Sequence, residues 1–225
     1  MAWYLNDDIS FCELDGRLFF LDIQRDSYFQ LSATLERRFL SYLAAPNGGG
    51  VDVSVFARHN LLLQTPQIPL DGRRAAIDPP GKSVPETACR SGRVHARLIL
   101  DVFAIVATVR HQLRTRRLKT ILVGLEEYRR ERSSLTSVDG PETQRRVAEA
   151  AAVFNRIRPY VPVEMCCLID SLSMVRFLAK RGLHVRLVMG VACDPFSAHA
   201  WVQHGPLVLN DSVGNAQTHV PIRVI

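Results

Sequence analysis

Three short stretches near the C-terminus decide how this chain is read: Cys167-Leu-Ile-Asp-Ser-Leu-Ser-Met174, then Ala198-His199-Ala-Trp201, then Val208-Leu-Asn-Asp211. In the first, Leu168, Leu172, Val175 and Ala179 recur at helical spacing, with Asp170, Ser173, Arg176 and Lys180 as a polar stripe and Gly182 placed to end the helix. Cys167 therefore opens a helix. A thiol at that end sits where the helix dipole is positive, which favours the thiolate. The unpaired N–H groups of the first turn can also donate to a developing oxyanion.

Leu183 to Val191 predicts a strand, and Ala198 to Gln203 a second. A turn at His204-Gly205-Pro206 returns the chain through Leu207 to Asn210. A three-residue loop pairs Gln203 with Leu207 and sets His199 opposite Asp211, with Cβ atoms about 4.5 to 5.5 Å apart. A slip of one residue would send Asp211 to the other face. On this register Cys167 is the candidate nucleophile, His199 the acid and base, and Asp211 the carboxylate that fixes the imidazole. Trp201 shares the face of His199 and would shield the pair from water. Taken singly, each residue has a plainer reading: a cysteine at an apolar helix start is a small buried hydrophobe, a strand histidine is structural, an aspartate at a strand end belongs to a turn. Their joint order favours the triad.

The rest of the 225 residues bounds the possibilities. At 47% hydrophobic content the chain has ample material for a core, and no run of 18 apolar residues predicts a membrane span. The N-terminus lacks a basic segment followed by an apolar one, so no secretory signal is expected and the protein is expected to be cytoplasmic. The five cysteines (Cys12, Cys89, Cys166, Cys167 and Cys193) show neither a disulfide framework nor zinc-ligand spacing, so no metal is expected. No P-loop or other cofactor motif is present, and no cofactor is expected. The net charge of +6 gathers at Arg110, His111, Arg114, Arg116, Arg117 and Lys119 on a predicted helix. Without interleaved aromatics this is better read as a solvated face than as a nucleic-acid surface.

Toward the N-terminus, Ile9–Glu13, Arg17–Ile23 and Ser27–Leu31 alternate as three short strands, the first two joined at Asp15-Gly16. Ser32 is a candidate cap, with Glu36 four residues on, for a helix over 33–45. A second short helix is predicted over 52–59. Residues 65–92 are rich in proline, glycine and charge and predict a linker. Helix is predicted over 93–132, bent near 115–120, and again over 142–157. The domains are thus expected at 1–64 and 93–225, in an α+β fold.

The motifs Cys167-Leu-x-x-Ser-Leu, Gly190-Val191, Asp194-Pro195-Phe196, Ala198-His199-Ala-Trp201-Val and Leu209-Asn-Asp211 resemble the B proteins of lasso-peptide biosynthesis. These are leader peptidases with a transglutaminase-like, papain-type core. The resemblance implies that the family's cysteine, histidine and aspartate fall on Cys167, His199 and Asp211, with Cys166 a neighbour outside the motif. Asp15-Gly-Arg17 and Asp26-Ser-Tyr28-Phe-Gln-Leu31-Ser resemble the RiPP recognition element, a PqqD-like winged-helix module that takes a leader peptide as an added strand. That likeness implies a leader groove formed by Ser27, Tyr28, Phe29, Gln30, Leu31 and Phe56. The resemblance to the B proteins further implies two partners, the precursor's leader and an asparagine-synthetase-like cyclase that closes the freed core.

Two other readings use the same residues. An acyltransferase would resolve the Cys167 thioester with an amine instead of water. A leader-binding scaffold would carry a silent C-terminal domain, with no need for all three residues. Asp52–His59 offers only Arg58 and His59 as basic residues, too few for a DNA-reading helix.

Overall fold

In the computed structural model, residues 2–44, 52–65, 77–87, 95–132 and 140–225 are described. The chain opens with β1 (Ala2–Leu5) and the hairpin β2 (Ile9–Leu14) and β3 (Arg17–Asp22). The hairpin closes at Asp15 (φ 51°) and Gly16 (φ 72°), two consecutive left-handed residues of the kind a tight two-residue turn demands. β4 (Ser27–Phe29) pairs antiparallel with β3 to complete a three-stranded sheet. Next come α1 (Ala33–Ala44), α2 (Ser54–Arg58) and β5 (Leu62–Thr65), which returns to pair with β1.

Glu36, expected as a partner of the Ser32 cap, turns the other way. Its buried carboxylate accepts from the Leu18 N–H and from Arg17 Nε, tying α1 to the hairpin. Ile9, Phe11, Leu18 and Phe20 pack with Phe39 of α1 and Phe56 of α2 in a small core. Leu31 and Phe56, expected to line a leader groove, belong to this core and are buried. Phe29 packs against it, stacked on Phe20 at 5.1 Å.

The second domain contains β6 (Lys82–Ser83), α3 (Val84–Thr87), α4 (Ala96–Thr115), α5 (Leu118–Arg132), α6 (Pro141–Ile157), a 3-10 turn (Arg158–Tyr160), α7 (Cys167–Ala179), β7 (Arg186–Ala192), β8 (Ser197–His204), β9 (Leu207–Val208), α8 (Val213–Thr218) and β10 (Val220–Val224). Its sheet has the order β10-β7-β8-β9-β6, antiparallel except where β6 runs parallel to β9. The expected linker at 65–92 is therefore partly sheet and helix: its proline-rich composition concealed a strand of two residues and a single helical turn. Residues 66–76 and 88–92 of that stretch lie outside the described residues.

The polar stripe assigned to α7 is also corrected. Ser173 is fully buried, as are Ser171, Leu172, Met174 and Phe177, because α7 is enclosed by α4, α5, α6 and β8. A helix surrounded in this way buries nearly all its faces. Ser171 is satisfied there by the Ala200 carbonyl and the Asn210 amide, while the Ser173 hydroxyl is buried without a hydrogen-bond partner among the described residues.

The two parts share a surface. Cys12, Phe19, Leu21 and Ile23, on the opposite face of the N-terminal hairpin, belong to the same core as Val102, Leu122, Met174 and Ile222. Lys119, from the predicted basic patch, ion-pairs with Asp8 at 2.6 Å, and its N–H donates to the Ile23 carbonyl.

Phe20 is fully buried and touches Phe11, Phe29 and Phe39. Phe20→Ala is expected to lower stability by about 3 to 5 kcal/mol. Urea unfolding checks this; a loss below about 1 kcal/mol would show that the small core is loosely packed.

Candidate active site

Cys167 is the first residue of α7. Cys166 before it is the extended N-cap (φ −143°, ψ 129°) and leaves its thiol exposed. One residue thus separates a thiol in solvent from a thiol turned inward. The segment ahead of α7 is pinned by Arg158, which is buried, ion-pairs with Asp170 and donates to the carbonyls of Val163 and Glu164, each at 3.0 Å. Asp170 in turn accepts from the Cys166 N–H. This fork sets the entry angle of the helix that carries Cys167.

His199 lies on β8, with Nε2 2.5 Å from Asp211 Oδ2. Its other ring nitrogen is left for the Cys167 thiol, with which the imidazole is hydrogen-bonded. The main-chain N–H groups of Ala200 and Leu168 also donate to that sulfur. The hydrogen bond from His199 holds the Cys167 thiol below its usual range despite partial burial. His199 is raised to about 9, first by its bond to Asp211 and then by that to Cys167. Burial works to raise Asp211, and the bonds from His199, Ser212 and Asn215 outweigh it, so the carboxylate stays below its ordinary value. The three groups titrate as a coupled set, with the charged pair favoured between the lowered thiol and the raised imidazole.

The expected strand register is off by one. Gln203 pairs with Val208, and His204 with Leu207, across a two-residue turn at Gly205-Pro206. Three further steps of that ladder would oppose Asp211 to Ala200, on the wrong face. The ladder stops first. Leu209 N–H donates to the Val202 carbonyl, but the Val202 N–H is taken by Asn210 Oδ1 at 2.8 Å, a side chain standing where a main-chain acceptor would be. The chain turns there, and Asp211 comes round to His199.

Several supporting residues escaped the sequence reading. Ser171, one turn after Cys167, donates to the Ala200 carbonyl at 2.9 Å and accepts from Asn210 Nδ2 at 2.8 Å, linking the cysteine helix, the histidine strand and the aspartate turn. It is the serine of the quoted motif, and the motif was its signal. Asn215 Nδ2 donates to Asp211 Oδ2, and the Ser212 N–H to Oδ1, both at 2.8 Å. Ser212 also caps α8 by accepting from the Asn215 N–H. The Ser212-x-x-Asn215 spacing is a helix-start signal that could have located this turn. Ser83 of β6 donates to the Asp211 carbonyl at 2.7 Å.

Trp201 is buried in parallel with His199, ring centroids 6.1 Å apart. Gly190, cross-strand from His199, has no room for a side chain: a Cβ there would lie 2.8 Å from the Trp201 ring. Among the described residues, no group of three or more His, Cys, Asp or Glu side chains is arranged to hold a metal ion, and no helix is long and apolar enough to cross a membrane.

The structure thus brings Cys167, His199 and Asp211 together, with Cys166 outside. Residues 105–224 match the transglutaminase-like superfamily. The chain belongs to this superfamily. A 46-residue stretch is 41% identical to the microcin J25-processing protein McjB of Escherichia coli, and the match covers 20% of this chain and 22% of that protein. The chain therefore spans about a fifth of that relative's length in the alignment. No solved structure matches. All three grouped residues lie inside the transglutaminase-like region. Of the six residues expected to bind a leader, Ser27, Tyr28 and Phe29 form the edge strand β4, Gln30 follows it exposed, and Leu31 and Phe56 are core.

Alkylation of Cys167 by iodoacetamide at pH 7, read by mass spectrometry, is expected to slow by about tenfold or more in His199→Ala, since an ordinary thiol is only a few per cent ionised there. Equal rates would show that the imidazole does not hold the thiolate. Because His199 binds its proton more tightly when folded, the stability it contributes is fully present below pH 6.5 and is lost as pH rises through about 9. Ser171→Ala strands the Ala200 carbonyl and the Asn210 amide and is expected to cost about 1 to 3 kcal/mol in thermal or urea unfolding. An unchanged midpoint would remove Ser171 from the support of the site.

Proposed function

We propose that this chain is a cysteine peptidase of lasso-peptide maturation, which captures the leader of a ribosomally made precursor and cleaves it from the core. The observation that carries this reading is the chain of hydrogen bonds Cys167–His199–Asp211 at the start of a buried helix. The likeness to a protein that processes microcin J25 supports a ribosomal precursor peptide as the substrate class.

In the proposed reaction the Cys167 thiolate attacks the carbonyl carbon at the end of the leader. N–H groups of the first turn of α7 have no intrahelical acceptor and are available to the oxyanion. The His199 imidazolium gives its proton to the departing amine of the core, leaving a leader thioester on Cys167. Neutral His199 then takes a proton from water. The hydroxide adds to the thioester, the C–S bond breaks, and the leader leaves as a free acid. Asp211, locked by Ser212 and Asn215, keeps the imidazole in the tautomer that both steps require.

The N-terminal module fits the role of leader receptor as a PqqD-like element. β4 pairs with β3 on one side only among the described residues, which leaves an edge for an added strand. Ser27, Tyr28, Phe29 and Gln30 are the receptor residues in this reading, and the freed core passes to an asparagine-synthetase-like cyclase.

The test is mass spectrometry of a leader-plus-core precursor peptide incubated with wild type, Cys167→Ala and Cys166→Ala. Cleavage is expected to persist in Cys166→Ala and to vanish in Cys167→Ala; the reverse would move the nucleophile by one residue. Leader joined to an amine of a second peptide, with no free acid released and no nucleophile added, marks an acyltransferase. Leader binding without turnover by the wild type marks a scaffold. The cleavage rate is expected to rise as Cys167 ionises and to fall near pH 9, where His199 loses the proton that the leaving amine needs.

A further inference from the structure

Outside the triad, a cleft of about 530 Å³ lies between the N-terminal sheet and the loop before β8. Phe19, Tyr28 and Gln30 line one side, and Cys193, Asp194 and Phe196 the other. Its volume falls in the range of sites that hold small ligands or several side chains, about 300 to 1,000 Å³. Phe196 is 51% exposed, yet its ring is not loose. It stacks on Phe19 at 5.8 Å with an interplanar angle of 9° and meets Tyr28 edge-on at 5.8 Å. Two parts of the chain thus build one aromatic wall, with Phe19 buried behind it and the Phe196 ring exposed at its mouth, the kind of apolar surface that marks a contact site.

The cleft adjoins the edge strand at one end and the start of the strand that carries His199 at the other. At one end, Tyr28, Phe29 and Gln30 are the edge strand and the residue after it. At the other, Phe196 is three residues before His199, and Tyr28 and Cys167 pack against the same core. The raised pKa of Tyr28, due first to burial, includes a contribution from Cys167, as expected for neighbours. A peptide laid along β4 advances about 3.3 Å per residue with alternate side chains on one face, so leaving the edge strand toward the thiol takes it through this cleft. A leader precedes the bond that is cut, so the segment spanning module and thiol lies on the acyl side.

We infer that the cleft between β3, β4 and the 193–196 loop is the subsite for the substrate residues just before the scissile bond, and that it selects a bulky apolar side chain there. The inference rests on the peptidase reading above. Three aromatic rings favour an aliphatic or aromatic partner by burial of apolar surface. A carboxylate would have to give up its hydration against those rings beside two like charges of the lining, Asp15 and Asp194, while Arg17 already donates its Nε–H to Glu36.

N-acetyl dipeptidyl chloromethyl ketones test this without a known precursor. The Cys167 thiolate displaces chloride, a C–S bond replaces the C–Cl bond, and the thioether is read by mass spectrometry. Reagents carry Phe, Leu, Ala or Asp at one position and Ala at the other. At one of the two positions, Phe or Leu is expected to react at least about tenfold faster than Asp, the scale of one hydrophobic subsite. That ratio is expected to fall toward one in Phe196→Ser and to survive in Phe196→Leu. Because the ratio is taken within each variant, partial loss of fold does not imitate the result. Rates independent of the side chain, or a ratio unchanged in Phe196→Ser, would overturn the assignment. Failure of the peptidase reading looks different: every reagent would then alkylate Cys167 of the wild type no faster than exposed Cys166.

Discussion

The hydrogen bond between His199 and Asp211 governs how the second domain is built. A carboxylate brought this close to an imidazole raises the proton affinity of the ring, and the protonated ring in turn lowers that of the nearby thiol. Neither effect survives a loose geometry, since a hydrogen bond weakens steeply with misalignment. The surrounding structure removes that looseness. The Ser212 N–H and the Asn215 amide hold the two carboxylate oxygens, Ser83 holds the carbonyl of the same residue, and Trp201 backs the ring. Ser171 and Asn210 then bind the three elements that carry the thiol, the ring and the carboxylate into one network.

How much of this could be read from the sequence varied with the range of the interactions involved. The start of α7, the strands β7 and β8, the hairpin at Asp15-Gly16 and the break between α4 and α5 rest on local signals: periodicity, glycine at a left-handed position, a change of phase. These were legible. The register between β8 and β9 was not, because it depends on whether the turn has two residues or three, and His204-Gly205-Pro206 permits both. The geometry around Asp211 depends on a side chain, Asn210, replacing a main-chain acceptor, which no periodicity announces. β6 was hidden because its two residues are ordered by β9 and by the contact of Ser83 with Asp211, both distant in sequence. Phe56 and Leu31 were assigned to a groove because aromatic and aliphatic residues near an edge strand suit a groove or a core equally. The shared cluster with Phe39, whose ring meets Phe56 edge-on, decided for the core.

Charge plays a smaller part than composition suggests. The basic residues of α4 and α5 do not form one functional surface: Lys119 is used to hold Asp8, while His111, Arg114 and Arg117 face solvent. Arg158, absent from that cluster, has a clear structural consequence, because it is buried and fixes the chain just ahead of Cys167. A basic residue's position in the packing mattered more than its membership of a run.

The N-terminal hairpin has two wet-to-dry boundaries and no wet face. Phe11, Leu18 and Phe20 look into one core, while Cys12, Phe19 and Leu21 look into the other. Separating the chain near residue 65 would leave the second set facing water on the module and bare its counterparts on the larger part. The two halves are therefore expected to melt in one cooperative transition, neither standing as an independent tenant of the polypeptide. Loosening either core draws on the stability of both, so a lesion in the N-terminal sheet reaches the Cys167–His199–Asp211 cluster through the folding equilibrium alone.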